Sequence, residues 1–224
     1  MGKLALLTPG TILKPEDLTS TTKTFQNLDR KWNASDVVVS DIEGDNLLYR
    51  LKKFHCGVVL NPFTLEESIY VPNQSAEYLK KLDKYGVVVG HNFRGFDLLA
   101  LAKLFDYRYH GFCFDTLVLS RLLNPERLLH SLEGWGHQLK FHKGEYKAAF
   151  KAKVLARGEK YVDGMEWLEF NQDMLDYCIQ DVRLNAVLFL YFITRLGWYD
   201  WFGVTKEECD RCALAIRKGD IRRI

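Results

Sequence analysis

Apolar and polar positions fall into a regular pattern only from Val37 onward. Residues 1–34 mix Pro, Thr, Lys, Asp and Asn without a sustained period and read as an irregular extension before the first strand. DVVVSDIE then reads as a buried strand, FHCGVVL from Phe54 as a second, and SIYVP from Ser68 as a third that Pro72 stops. Three strands in succession with short connections predict an antiparallel meander. SAEYLKKLDKYG has helical spacing, with Ser75 as its N-cap and Gly86 as its C-terminal stop. VVVGHN is a fourth buried strand, FDLLALAKLF a helix, FCFD a short fifth strand and TLVLSRLL another helix. Beyond residue 125 strand signals fade, and the stretch from Asn171 to Leu196 reads as one long helix. Strand–helix alternation behind a meander predicts an α/β fold, a mixed five-stranded sheet flanked by helices.

Composition narrows the class. At 224 residues, 47% of them hydrophobic, the chain suits one well-packed α/β domain or a domain with a small appendage. Its formal net charge of +2 means that nucleic acid would be held by a local patch and not by an overall basic field. No run is apolar enough to span a membrane, no basic-then-apolar leader opens the sequence, and the five cysteines are scattered and odd in number. The expectation is a soluble cytoplasmic protein with reduced thiols. Cys209 and Cys212 form a C-x-x-C without the second ligand pair that a zinc ribbon needs.

The acids change the picture. Asp41 and Glu43 are two apart at the end of a buried strand, so their side chains project from one face and their charges repel. Asp97 opens a helix after the turn at Gly95, and Tyr177 and Asp181 are four apart on the long helix, hence on one helical face. Each alone has a bland reading as a loop acid, a helix-start acid or a half-exposed face. Four converging carboxylates, however, are costly unless cations occupy the cluster, and magnesium or manganese is the natural fit to oxygen ligands. Two such ions stabilise both the attacking and leaving oxygens of a phosphoryl displacement.

DIE, HNFRGFD and YCIQD resemble, in order, the three motifs of the DnaQ-like 3′–5′ exonucleases of the DEDD group. Tyrosine four before the last aspartate resembles the tyrosine subtype; the histidine of the other subtype would fall at Asp176. SDIEGDNLL, KFHCGV, DTLVLSRLL, SLEGWGHQLK, KGEYKAAFK and YVDGMEW are similar more narrowly to the proofreading domain of T-seven-like phage polymerases of family A, over about residues 37–195. The resemblance implies a ribonuclease H-like fold and two divalent ions, magnesium with manganese able to substitute. Asp41 would bridge both ions, Glu43 and Asp181 would complete one site, and Asp97 would hold the other ion through water. Tyr177 would orient the attacking water and help deprotonate it. Leu47, six beyond Asp41, matches an apolar wedge against the terminal base, its alternative being a core leucine. Asn92 would bond the substrate backbone or hold its loop, and His91 reads as structural.

A basic run, LKFHKGEYKAAFKAKVLARGEKY, places Lys143, Lys147 and Lys151 on one face if it is helical, with Tyr146 and Phe150 close by. Such a stripe can track a single strand's phosphates, or be no more than a solvated face. The tail RKGDIRRI points weakly the same way. The domain reading is an extension over 1–34, an exonuclease domain over 35–197, and an aromatic, basic segment over 198–224 that is either a docking surface or the domain's own last helix. The phage polymerases continue into thumb, palm and fingers, for which no room follows Arg195, so polymerisation is not expected. The expected function is a 3′–5′ exodeoxyribonuclease acting on single-stranded DNA or frayed 3′ ends in a bacterial host cytoplasm, proofreading for a separate DNA polymerase chain. The alternatives are a free-standing DNA-trimming nuclease, a ribonuclease of the same superfamily, and a non-enzymatic single-strand-binding module.

Overall fold

The computed structural model describes residues 32–224, so the expected N-terminal extension lies, up to residue 31, outside the described residues. Strand β1 (Val37–Gly44) sits at the centre of the sheet. It pairs antiparallel with β2 (Phe54–Leu60), which pairs antiparallel with β3 (Glu66–Tyr70), giving the expected meander. On its other side β1 runs parallel to β4 (Val87–Gly90), and β4 runs parallel to β5 (Phe112–Asp115). The β-branched run Val37–Val39 is buried on both faces because both faces are covered.

One face, carrying Val37, Val39, Val58 and Leu60, packs under the long helix from Gln172 to Leu196 and the helix Lys206–Lys218. The opposite face, carrying Val38, Ile42, Val59 and Val88, packs against α1 (Ser75–Leu82) and α2 (Asp97–Phe105) through Tyr78, Leu82, Ala100 and Leu101. In chain order the remaining helices are α3 (Thr116–Leu123), α4 (Leu132–Leu139) and α5 (Tyr146–Ala156), so the long helix is α6 and the last helix α7. Trp135 of α4 is fully buried against Leu184, Leu188 and Phe192 of α6, which therefore contributes to two cores at once. No helix among the described residues is long and apolar enough to cross a membrane.

Three expectations change. Ser75 is the first residue of α1 and not its cap: a 3-10 turn, Pro72–Gln74, leads straight into the helix, with the Gln74 side chain accepting the Val71 N–H. That helix ends at Leu82, well before Gly86, as the Asp83, Lys84 and Tyr85 amides fold back on its last carbonyls. The described sheet has a sixth strand, β6 (Arg222–Arg223), lying parallel to β3. Two residues are too few to show alternation, and charge holds them instead. Arg222 pairs with Glu66, and Arg223 joins Arg183 on the fully buried Glu67 carboxylate. Arg183 grips both oxygens of Glu67 at 2.9 Å, the bidentate geometry that suits a guanidinium. Arg222 and Arg223 of the basic tail thus close the sheet edge, while Arg217 donates to the Leu139 carbonyl. The rest of the 198–224 segment buries Phe202, Cys209, Cys212 and Ile216 in the core beneath α6, so the apolar face of α7 is occupied by the domain itself.

Candidate active site

The acids reach one place by three routes. In the pleat of β1, Asp41 and Glu43 extend the face of Val37 and Val39 beyond the end of the apolar core, opposite Val58 and Cys56. Ile42 between them points to the other face, and its N–H donates to Asp97 Oδ1 at 3.1 Å. That bond fixes the α2 start against β1. The turn before it needs a left-handed residue at Asn92, φ 63°, and a glycine at 95, where a Cβ would fall 2.4 Å from Asn92 Oδ1. Asn171, whose side chain accepts the Met174 N–H, caps α6 and so sets the phase that turns Tyr177, Cys178 and Asp181 inward.

The electrostatics of the cluster are those of trapped like charges. Burial first, then the Asp181 charge, pushes Asp41 up to about 8, while Lys143 acts the other way. Glu43 is raised well above the carboxylate range by burial and by Asp41. Asp97 is raised likewise by burial and Asp41 against the opposing Ile42 hydrogen bond, and Asp181 is raised by burial against Lys143. An oxygen of Asp41, an oxygen of Glu43 and the Cys178 sulfur all lie within 4.8 Å of one another. Asp181 Oδ1 is buried without a hydrogen-bond partner. An unpartnered buried carboxylate oxygen among three other acids is what a divalent cation would satisfy, so the residues fit the ions that the motifs imply.

Lys143 is the correction that matters most. It does not lie on a helical stripe with Lys147 and Lys151, because α5 begins only at Tyr146. The preceding loop is pinned to α6 by the Gln180 amide, which donates to the His142 carbonyl at 2.7 Å. From there Lys143 Nζ reaches Asp181 Oδ2 at 2.8 Å and lies 4.5 Å from the centre of the Tyr177 ring. Tyr177 is flanked in turn by the rings of Tyr146 and Trp167, at 5.8 and 6.1 Å between centroids. Burial and the charges of Asp181, Glu43 and Asp41 push its phenol far above the ordinary value. With no ion among these acids the protonated phenol is favoured, a form that can donate a hydrogen bond.

Beside the acids opens a cleft of about 460 Å³, lined by Glu43, Leu47, Phe96, Lys147, Glu166 and Trp167 among others. Leu47 is 78% exposed at its rim, so the core-leucine alternative falls. Lys147 also faces this cleft, held by Asp163 at 2.6 Å and 3.7 Å from buried Glu166. Lys151 lies away from it, its ammonium 5.5 Å from the centre of the Tyr161 ring. The turn at Asn92 is held by its backbone: its main-chain N–H donates to Asp115 and its carbonyl accepts the Gly95 and Phe96 amides. His91 Nδ1 bonds Thr116 Oγ1 at 2.9 Å, a structural contact. Sequence reasoning missed Cys178, Glu166 and Asp115. Asp115 caps α3 and also accepts the Asn92 and Arg94 amides, joining two loops. A D-T at a strand-to-helix junction was its available signal.

No family model matches the chain. Relatives do. The DNA-directed DNA polymerase of Escherichia phage T7 is 39% identical over 181 residues, a match covering 68% of this chain and 26% of the polymerase. The polymerase of Enterobacteria phage T3 matches with the same identity and coverage. Over that stretch the chain is related in sequence to these polymerases, and its motifs and sheet resemble those of DnaQ-like nucleases. It corresponds to the exonuclease region of those polymerases and spans about a quarter of their length. A solved structure described as the apo form of a nuclease shares the ribonuclease H-like fold with this chain. Its TM-score is 0.52 at 16% identity, over 92% of this chain and 86% of that one.

Proposed function

We propose that the protein is a 3′–5′ exodeoxyribonuclease, dependent on two divalent ions, that releases nucleoside monophosphates from DNA 3′ ends. The observation that carries this reading is the cluster of Asp41, Glu43, Asp97 and Asp181, each held above its ordinary pKa by burial or by the others, with one buried oxygen unpartnered. Magnesium, with manganese as substitute, would be held by Asp41, Glu43 and Asp181 and, at a second position, by Asp41 with Asp97. Bound there, the ions supply an activated water and neutralise charge on both reacting oxygens. The protein's own groups do the remainder. Tyr177, protonated, donates a hydrogen bond that orients the attacking water. Lys143 adds positive charge beside the reacting phosphate. The cleft has the volume of a ligand pocket, enough for a nucleotide, and Leu47 at its rim supplies an apolar surface for the terminal base. Lys147, at the same cleft, supplies charge for a backbone phosphate. Lys151 adds to the same field from further along α5.

A single strand or a frayed end suits this site, because a paired terminus must first unstack at about 1.4 kcal/mol per step. Relatedness to the exonuclease region of a polymerase supports a proofreading role. Asp41→Ala combined with Glu43→Ala should abolish release of nucleotides from end-labelled single-stranded DNA in magnesium while single-strand binding persists. Cleavage by that variant at a comparable rate, or undiminished cleavage in excess chelator, would sink the reading. An RNA strand of the same sequence, run alongside, separates the deoxyribonuclease from a ribonuclease.

A further inference from the structure

Cys178 has no place in the reading above, yet it stands inside the acid cluster. Its sulfur is fully buried, 3.6 Å from the Asp41 carbonyl oxygen and 4.0 Å from Asp41 Oδ2. It is three residues before Asp181 on α6, so the two share the inward face. Lys143 ties up Asp181 Oδ2, and the Ile42 amide takes an Asp97 oxygen. What a single incoming ion meets first is therefore Asp41, Glu43 and the Cys178 thiol, with the bare, buried Asp181 Oδ1 alongside.

We infer that Asp41, Glu43 and Cys178 form a mixed oxygen–sulfur site that captures one thiophilic ion, zinc or cadmium, and that such an ion excludes magnesium and shuts the enzyme off. The inference rests on the proposed metal-dependent reading of the same acids. All-oxygen sites select hard ions through charge and ligand number; one thiolate tilts the preference towards softer ones. Tetrahedral zinc, with bonds of about 2.0 Å to oxygen and 2.3 Å to sulfur, sets its ligand atoms about 3.5 Å apart. The three atoms lie within 4.8 Å, so closing on the ion asks for side-chain shifts of about 1 Å and no backbone movement. On binding, the S–H bond breaks, its electron pair becomes the sulfur–metal bond and the proton leaves to solvent, as happens whenever a thiol becomes a metal ligand. An ion so held occupies the Asp41 and Glu43 oxygens on which the catalytic pair depends.

The test titrates the metal-free full chain with cadmium and reads the sulfur-to-cadmium charge-transfer absorption. One equivalent of band should appear, vanish in Cys178→Ser and survive in both Cys56→Ser and the Cys209→Ser, Cys212→Ser double variant. Glu43→Gln should weaken cadmium binding at least tenfold, and zinc should inhibit magnesium-supported cleavage at a concentration at least tenfold lower in the parent than in Cys178→Ser. Cys178→Ala, checked for folding by circular dichroism, guards against a defect peculiar to serine. A band that persists without Cys178, or follows Cys56 or the Cys209–Cys212 pair instead, overturns the inference, as does loss of manganese binding in both Cys178 variants, which would make the thiol merely structural. Magnesium-dependent cleavage with no Cys178 band defeats this inference alone. A Cys178 band in a protein inert with every divalent ion defeats the nuclease reading alone.

Discussion

Replacing Lys143 with methionine keeps most of the side chain's apolar length and removes its charge. The ammonium stands 2.8 Å from Asp181, with the lysine side chain 24% and the aspartate side chain 8% exposed. Removing one partner of a buried pair costs about 3–5 kcal/mol. The lysine's partial exposure places this case at the lower end, about 3 kcal/mol, or roughly 6–12 °C in melting temperature for a domain of this size. The cost must also depend on pH, with a definite sign. Asp41 has its folded pKa raised from 3.8 to about 8, so the cluster's protonated form is stabilised in the fold. Such a group gives stability that is complete below its unfolded pKa and is lost as pH rises through the folded one. In chelator, the deficit of Lys143→Met should therefore be smaller at pH 5 than at pH 8.5, where it should reach about 3 kcal/mol. Saturating magnesium, at a hundredfold excess over its dissociation constant, would return about 2.7 kcal/mol. Thermal melts of both proteins at the two pH values, in chelator and in magnesium, measure all three quantities. Equal stability of the two proteins at pH 8.5 in chelator, or a deficit that does not shrink in acid, would refute the argument that Lys143 neutralises this cluster.

His91 titrates in the opposite sense. Burial lowers its pKa from 6.5 to about 4, so the fold loses stability as pH falls through that window, by at most ~3 kcal/mol, and His91→Asn should flatten urea midpoints measured between pH 4.5 and 7. Asp115→Ala strips the acceptor from the Asn92, Arg94, Leu117 and Val118 amides and should cost about 2 kcal/mol or more by urea denaturation; a loss under ~0.5 kcal/mol would show that water replaces it freely. Leu47→Ala should leave stability within ~0.5 kcal/mol yet weaken single-strand binding by a factor of about five or more; unchanged affinity returns Leu47 to an idle surface residue. Lys147→Ala should reduce the salt slope of single-strand binding by roughly 0.7, the share of one phosphate contact. An unchanged slope would leave Lys147 as a partner of Asp163 only.

How far the sequence speaks depends on how local each signal is. The meander, the parallel pair of strands and the long helix follow from β-branched runs and 3.6-residue spacing, both of which are read within a few residues. That Asp41, Glu43, Asp97, Tyr177 and Asp181 come near one another is legible because each sits at the end of a strand or on a strongly periodic helix, whose phase the core fixes. The four-residue spacing puts Lys143 on a helix only if the helix crosses Gly144, whereas the loop there is set by Gln180, which bonds His142 from 38 positions away. Cys178 was invisible for a related reason: a cysteine on a helix reads as small and apolar until β1 is laid beneath it. Arg222 and Arg223 of the tail read as a basic patch because their partners, Glu66 and Glu67, lie 156 positions away. Charge composition gives no sign of pairing across the fold.

The central claim is that the buried acids cut DNA one nucleotide at a time from the 3′ end, and a single strand labelled in two ways tests it. With magnesium, a 3′ label should leave at once as a nucleoside monophosphate, while a 5′ label should shorten through a ladder of single-nucleotide steps, and chelator should stop both. Internal fragments appearing first, release from the 5′ end, or an intact strand at every magnesium and manganese concentration would contradict it.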